Sequence, residues 1–187
     1  MTKWLPSLLL LLLLMSEPGS ALAHDAVPHG TNVPELIRFD QRLNEQLPKE
    51  LSFEDENGNV VKLQSFMGDK PFVLALSYFE CETLCPLVRH GLVEALRPLR
   101  LTVGKDFDVL LVSIDPQESA TVAQQVKLES VSDYGRAEST AGWHFLRGEH
   151  DAIDELADAI GFRYAYDGDQ DEYAHPSGIV LVTPEGR

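Results

Sequence analysis

Residues Phe72–Leu96 read FVLALSYFECETLCPLVRHGLVEAL, and they decide how the rest of the chain is read. Phe72 to Phe79 is a near-continuous apolar run of strand length, which fits a strand buried on both faces. Leu84, Leu87, Val88, Leu92, Ala95, Leu96 and Leu99 then recur at a helical period. Pro86 suits the first helical turn, where a missing N–H costs nothing, and Pro98 marks the far end. Between strand and helix stand Cys81 and Cys85, the two cysteines of the chain.

Working outward, Asp108–Ile114 (DVLLVSI) is a second buried strand, and strand–helix–strand implies a parallel pair. Thr121–Tyr134 is predicted helical, Trp143–Leu146 a short strand, and His150–Ile160 a helix stopped by Gly161. Gly178–Thr183 is a further strand, followed by the turn Pro184-Glu185-Gly186. Upstream, Leu51–Glu54 and Val60–Leu63 flank Glu56-Asn57-Gly58-Asn59, a strong hairpin signal. The expectation is an α/β fold, a sheet covered by helices on both faces.

The 187 residues carry a net charge of −15. That balance repels phosphate backbones and argues against nucleic acid, whereas a cationic partner or a metal cation is easier. The start, MTKWLPSLLLLLLLMSEPGSALAHD, has Lys3, an apolar run over Leu5–Met15 and an A-x-A site at Ala21–Ala23. This is the layout of a secretory signal peptide over residues 1–23, with an uncleaved anchor as the alternative. The run falls short of the roughly 20 residues of a membrane span. Residues 24–49 are expected to be a loose tail with a short helix over Pro34–Leu47, and residues 50–187 the domain. A chain that stops one residue after a hairpin-type turn is expected to be truncated.

Export places the cysteines where disulfides persist. As a staple, a five-residue loop stabilises by only about 2 kcal/mol, so chemistry is the better use of the pair. A loop at the carboxyl end of a central strand, opening a helix, is where α/β sheets hold their sites. The helix N-terminus favours thiolate over thiol. Two thiolates select Cu(I) or Zn(II), and imidazole is the usual third ligand. His24 and His29 lie in the tail, His90 faces away along the helix, and His144 and His150 have bland readings. His175, in the loop before the last strand, is left open between ligand and ordinary loop histidine.

These pieces, in order, resemble the Sco/SenC family of thioredoxin-like copper-handling proteins that serve cytochrome c oxidase assembly. The match runs over LSFEDENGNVVKLQSFMGDKP, Cys81-x-x-x-Cys85-Pro86, VLLVSIDPQES, GWHFLRGEHDAIDELADAIGFRY and the histidine before IVLVTPEGR. The resemblance implies a thioredoxin-like fold, a central mixed sheet flanked by helices, with an N-terminal β-hairpin. It implies a Cys2His copper site of Cys81, Cys85 and His175, for Cu(I) or Cu(II). It further implies a metallochaperone in the periplasm or anchored to the outer face of the inner membrane. The client would be a copper protein such as a cytochrome oxidase subunit, with a thioredoxin-like reductant or a second copper chaperone as further partners. Glu82 stands where the family usually has proline, and Ala174-His175-Pro176 departs from its Asp-His-Ser. These changes alter the surroundings of the ligands and point to a divergent branch.

The alternative is an enzyme, an exported thiol–disulfide reductase with Cys81 attacking and Cys85 resolving. It has no need of His175. Asp167–Asp171 begins like a calcium loop, but Glu172 and Gly178 stand where an EF-hand requires glycine and glutamate. Asp115-Pro116 reads as a strand-end turn. The amine and imidazole of His24 form a weak extra copper candidate.

Overall fold

The computed structural model describes residues 36–80 and 85–187. The leader, His24 and His29 lie outside the described residues, as does Cys81. The core is a four-stranded mixed sheet. Strands β4 (Phe72–Ser77), β5 (Asp108–Ser113) and β6 (Trp143–Leu146) run parallel, and β10 (Val180–Val182) joins β4 antiparallel, giving the order β10-β4-β5-β6. This is the thioredoxin-like arrangement.

Every residue of β4 and β5 is buried, and alternation sends their side chains to two cores. Val73, Val109 and Leu111 meet Leu92, Val93 and Leu96 of helix α1 (Cys85–Leu96) and Ala123 and Val126 of α2 (Ala120–Tyr134). Leu74, Leu76, Leu110 and Val112 meet Ile153, Leu156 and Ile160 of α3 (His150–Ile160), together with Phe53 and Leu63. Helix α1 buries a narrower stripe than its apolar spacing suggests: it ends at Leu96, before Leu99, and Leu87 is 65% exposed.

The N-terminal hairpin of β2 (Ser52–Glu54) and β3 (Val60–Lys62) forms as expected, but its turn has a different cause. Gly58 alone takes a positive φ there, and the Asp55 carboxylate accepts from the backbone N–H of Asn57 and Asn59. The turn is organised by that aspartate rather than by an Asn-Gly pair.

Over residues 36–47, the described part of the expected Pro34–Leu47 helix, the chain does not follow that helix. Strand β1 (Arg38–Phe39) pairs antiparallel with β7 (Phe162–Arg163), and Asn44 adopts a left-handed φ. Leu47 is 4% exposed, and its N–H donates to Gly186 O. Phe39 and Leu47 supply the apolar surface that draws this segment onto the domain, a pull that periodicity alone does not register. At Gly161, φ is +75° and an added Cβ would lie 1.9 Å from Asp40 O. The helix stop and the close approach of β1 therefore both require glycine there.

Strands β8 (Ala165–Asp167) and β9 (Glu172–Ala174) form a hairpin that the sequence reading left unassigned. It carries the chain from α3 to His175.

Candidate metal centre

All three parallel strands end on the same side, at Ser77, Ser113 and Leu146. The residues that follow, Tyr78–Glu80, Ile114–Glu118 and Arg147–Glu149, make up one rim. Because β10 is antiparallel to β4, with Val180 opposite Leu74, residues preceding Val180 lie toward the carboxyl end of β4. That topology brings His175 to the rim from which the cysteine loop departs.

The contact is through Tyr78. Its ring lies 6.0 Å from the His175 imidazole, nearly perpendicular, and Phe162 covers the ring from another side at 6.0 Å. His175 is half-buried, and desolvation holds its pKa below the ordinary value of 6.5. Burial disfavours the imidazolium, so the ring is neutral at neutral pH. Its Nδ1 lies 2.9 Å from Pro176 O. A carbonyl only accepts, so Nδ1 carries the proton and Nε2 carries the lone pair. A neutral imidazole with one nitrogen engaged by a backbone carbonyl is the state required of a metal ligand. Pro176 therefore fixes a tautomer, which the sequence reading did not anticipate.

Of the other two candidates, Cys85 opens α1 at the helix N-terminus. Its side chain, like all of Cys81, is not among what the structure describes. Glu80 leaves from the rim beside Tyr78. The donor set fits copper in its chemistry: two thiols from this loop and a desolvated imidazole facing the strand that leads into it.

The rim holds a group that sequence reasoning missed. Glu118 is 3% exposed, yet it is a carboxylate. Burial pushes its pKa up to about 7, against the opposing pull of hydrogen bonds from the N–H groups of Glu80 and Phe79. Nothing in Ser-Ile-Asp-Pro-Gln-Glu-Ser signals that burial, which is tertiary in origin. Asp115 is a turn residue as expected: its carboxylate accepts from Gln117 N at 2.8 Å, and its N–H donates to Ser113 Oγ.

The remaining histidines stay bland. His90 is exposed, His150 pairs with Asp154 one turn along α3, and His144 stacks on Phe66 with its pKa lowered by burial. Asp167–Asp171 closes the β8–β9 hairpin, where Asp167 accepts from Asp169 N and from the Gln170 amide. Among the described residues, no three His, Cys, Asp or Glu side chains gather as a metal cluster.

Comparisons with known proteins bear on the fold and the family. An Aquifex aeolicus electron-transfer candidate is 27% identical with a TM-score of 0.67, covering 78% of this chain and 81% of that one. Arabidopsis thaliana ScoI, solved with copper bound, shares the fold at 20% identity and a TM-score of 0.58, over 73% of this chain and 81% of its own. BsSco, a Sco-family cytochrome c oxidase assembly protein with a disulfide switch, shares it at 22% identity and 0.60, over 80% and 83%. No curated protein matches the sequence. The sequence model of SCO1/SenC matches residues 39–187, and the chain belongs to the SCO1/SenC family.

Proposed function

We propose that the protein is a copper metallochaperone that binds one copper ion through Cys81, Cys85 and His175 and passes it to a client copper protein, in the setting of cytochrome c oxidase assembly. The observation that carries this reading is His175: neutral, half-buried, tautomerically fixed and stacked on Tyr78 at the exit toward Cys81. A dithiol reductase does not require such a histidine, whereas a Cys2His copper site does.

Copper is cargo here. Two thiolates and one imidazole satisfy Cu(I) and accept Cu(II), and three ligands leave a position through which a client can exchange. The sulfurs bind metal only when reduced, so a Cys81–Cys85 disulfide closes the site to copper. The copper-bound ScoI and the disulfide switch of BsSco support both halves of that chemistry within the family. The hairpin leading to His175 exposes Asp169, Asp171 and Glu172, which favours a cationic client face or the cation itself. The leader supports export to the periplasm, free or anchored by that leader. X-ray absorption of the copper-loaded protein tests the site. Two sulfur and one nitrogen scatterers are expected, and a shell of nitrogen and oxygen alone would refute it.

A further inference from the structure

The exit of β4 is held by a side chain from elsewhere in the chain. Beyond Ser77, among the described residues, no strand pairs with the N–H groups of Phe79 and Glu80. Both donate to one atom, Oε1 of Glu118, the second at 2.8 Å. Successive amides converging on a single carboxyl oxygen grip it as a backbone nest does. The holder is itself held. Glu118 O accepts from Arg147 Nη1 at 2.8 Å. Arg147 exchanges two backbone hydrogen bonds with Glu54 and forms an ion pair with its carboxylate. The ends of β4, β5 and β6 and the N-terminal hairpin are thus joined through Glu118 and Arg147.

Burying a carboxylate is costly, and here the cost is met immediately before the cysteine loop. Asp115 does not share the task, because its carboxylate is engaged in its own turn. The Phe79 ring packs on Phe145 at 5.5 Å, so the peptide that Glu118 grips is also fixed from the core side.

We infer that Glu118 is the positioning residue of the Cys81–Cys85 loop: its buried carboxylate fixes the backbone at Phe79 and Glu80, and so sets how the dithiol is presented to His175. This rests on the copper reading above. Glu118 acts through the backbone and touches no metal.

The test uses reduced protein under anaerobic conditions, as wild type, Glu118→Ala and Glu118→Gln. Cu(I) affinity is read by competition with bicinchoninate, and amide exchange is read at Phe79 and Glu80 against Leu74 and Leu76 within β4. Glu118→Ala should lose about 10- to 100-fold in Cu(I) affinity, the usual cost of removing an outer support of a metal site. Its exchange should accelerate at Phe79 and Glu80 while Leu74 and Leu76 hold. Glu118→Gln keeps an oxygen that accepts both N–H groups and should retain most of the affinity.

Wild-type affinity in Glu118→Ala would overturn the inference. So would acceleration spread evenly along β4, which marks a role in stability alone. A wild type that takes up no Cu(I) would instead refute the copper reading, and exchange at Phe79 and Glu80 would still decide whether Glu118 pins the loop exit. Should Glu118→Ala not fold, Glu118→Asp, one methylene shorter, is expected to weaken the same two amides.

Discussion

Tyr78 and His175 meet edge to face, 6.0 Å between ring centroids, at an interplanar angle of 78°. One follows the strand that leads to Cys81, and the other precedes the strand paired to it. The pair converts a sheet topology into a site, because it ties the imidazole to the segment that carries the thiols. Tyr173 packs on Tyr78 at 5.7 Å and Phe162 on His175, so the imidazole is fixed within an aromatic cluster. Tyr78→Ala removes the central ring and is expected to weaken copper binding about tenfold, as loss of an outer support does. Tyr78→Phe keeps the ring and should retain most of the affinity. Cu(I) competition titrations of the two variants, with thermal unfolding as control, check this.

Glu118 makes stability depend on pH in an unusual direction for a carboxylate. Its folded pKa of about 7 lies above the ordinary 4.5. The folded state therefore binds the proton more tightly, and the contribution is fully present below pH 4.5 and lost as pH rises through 7. The shift corresponds to something on the order of 3 kcal/mol. Denaturant unfolding of wild type and Glu118→Gln across pH 4–8 should show a stability difference that grows in the variant's favour as pH rises, then levels above 7.

His144 acts in the opposite sense. Burial lowers its pKa from 6.5, and the nearby Lys127 and Lys70 add to this against Asp108 and Glu56. Its contribution is complete above pH 6.5 and is lost as pH falls through the folded value. His144→Phe, which preserves the stack on Phe66, should flatten this part of the stability profile below pH 6.5.

The buried pair of Lys127 and Glu56 is asymmetric to mutation. Lys127 Nζ lies 2.6 Å from Glu56 Oε1, and Glu56 Oε2 accepts from Phe145 N on β6. Lys127→Ala strands a carboxylate that is 6% exposed, at an expected cost of about 3–5 kcal/mol. Adding Glu56→Gln in the same chain should recover much of it, since the amide keeps an acceptor for Phe145 N–H. Chemical denaturation of the single and double variants measures the difference.

Much of the fold was legible because its determinants are local. The β4 and β5 runs are near-continuously apolar, β6 and α3 fall where read, and Gly161 stops α3. Residues 36–47 departed from the helical reading because Phe39 and Leu47 are fixed by partners far along the chain, Phe162 and Gly186. The β8–β9 hairpin was missed although Asp167-Gly168 is a turn dipeptide, because each flanking strand is only three residues long and the loop, with Asp171 in a left-handed φ, is acidic. The place of His175 before β10 left it open, and the family resemblance singled it out, while its tautomer depends on Pro176 O and its desolvation on Tyr78 and Phe162. Glu118 was invisible, because a glutamate beside a strand-end turn is ordinarily exposed, and only the packing of three strand exits buries it.

The most direct measurement is an anaerobic Cu(I) titration of the reduced protein beside His175→Ala and a Cys81→Ser/Cys85→Ser double variant. The account predicts one tight equivalent in the wild type, a thiolate-to-copper absorption band after oxidation to Cu(II), and loss of tight binding in both variants. Absence of tight binding in the wild type, or binding indifferent to His175, would contradict it and leave the cysteines as a thiol–disulfide couple.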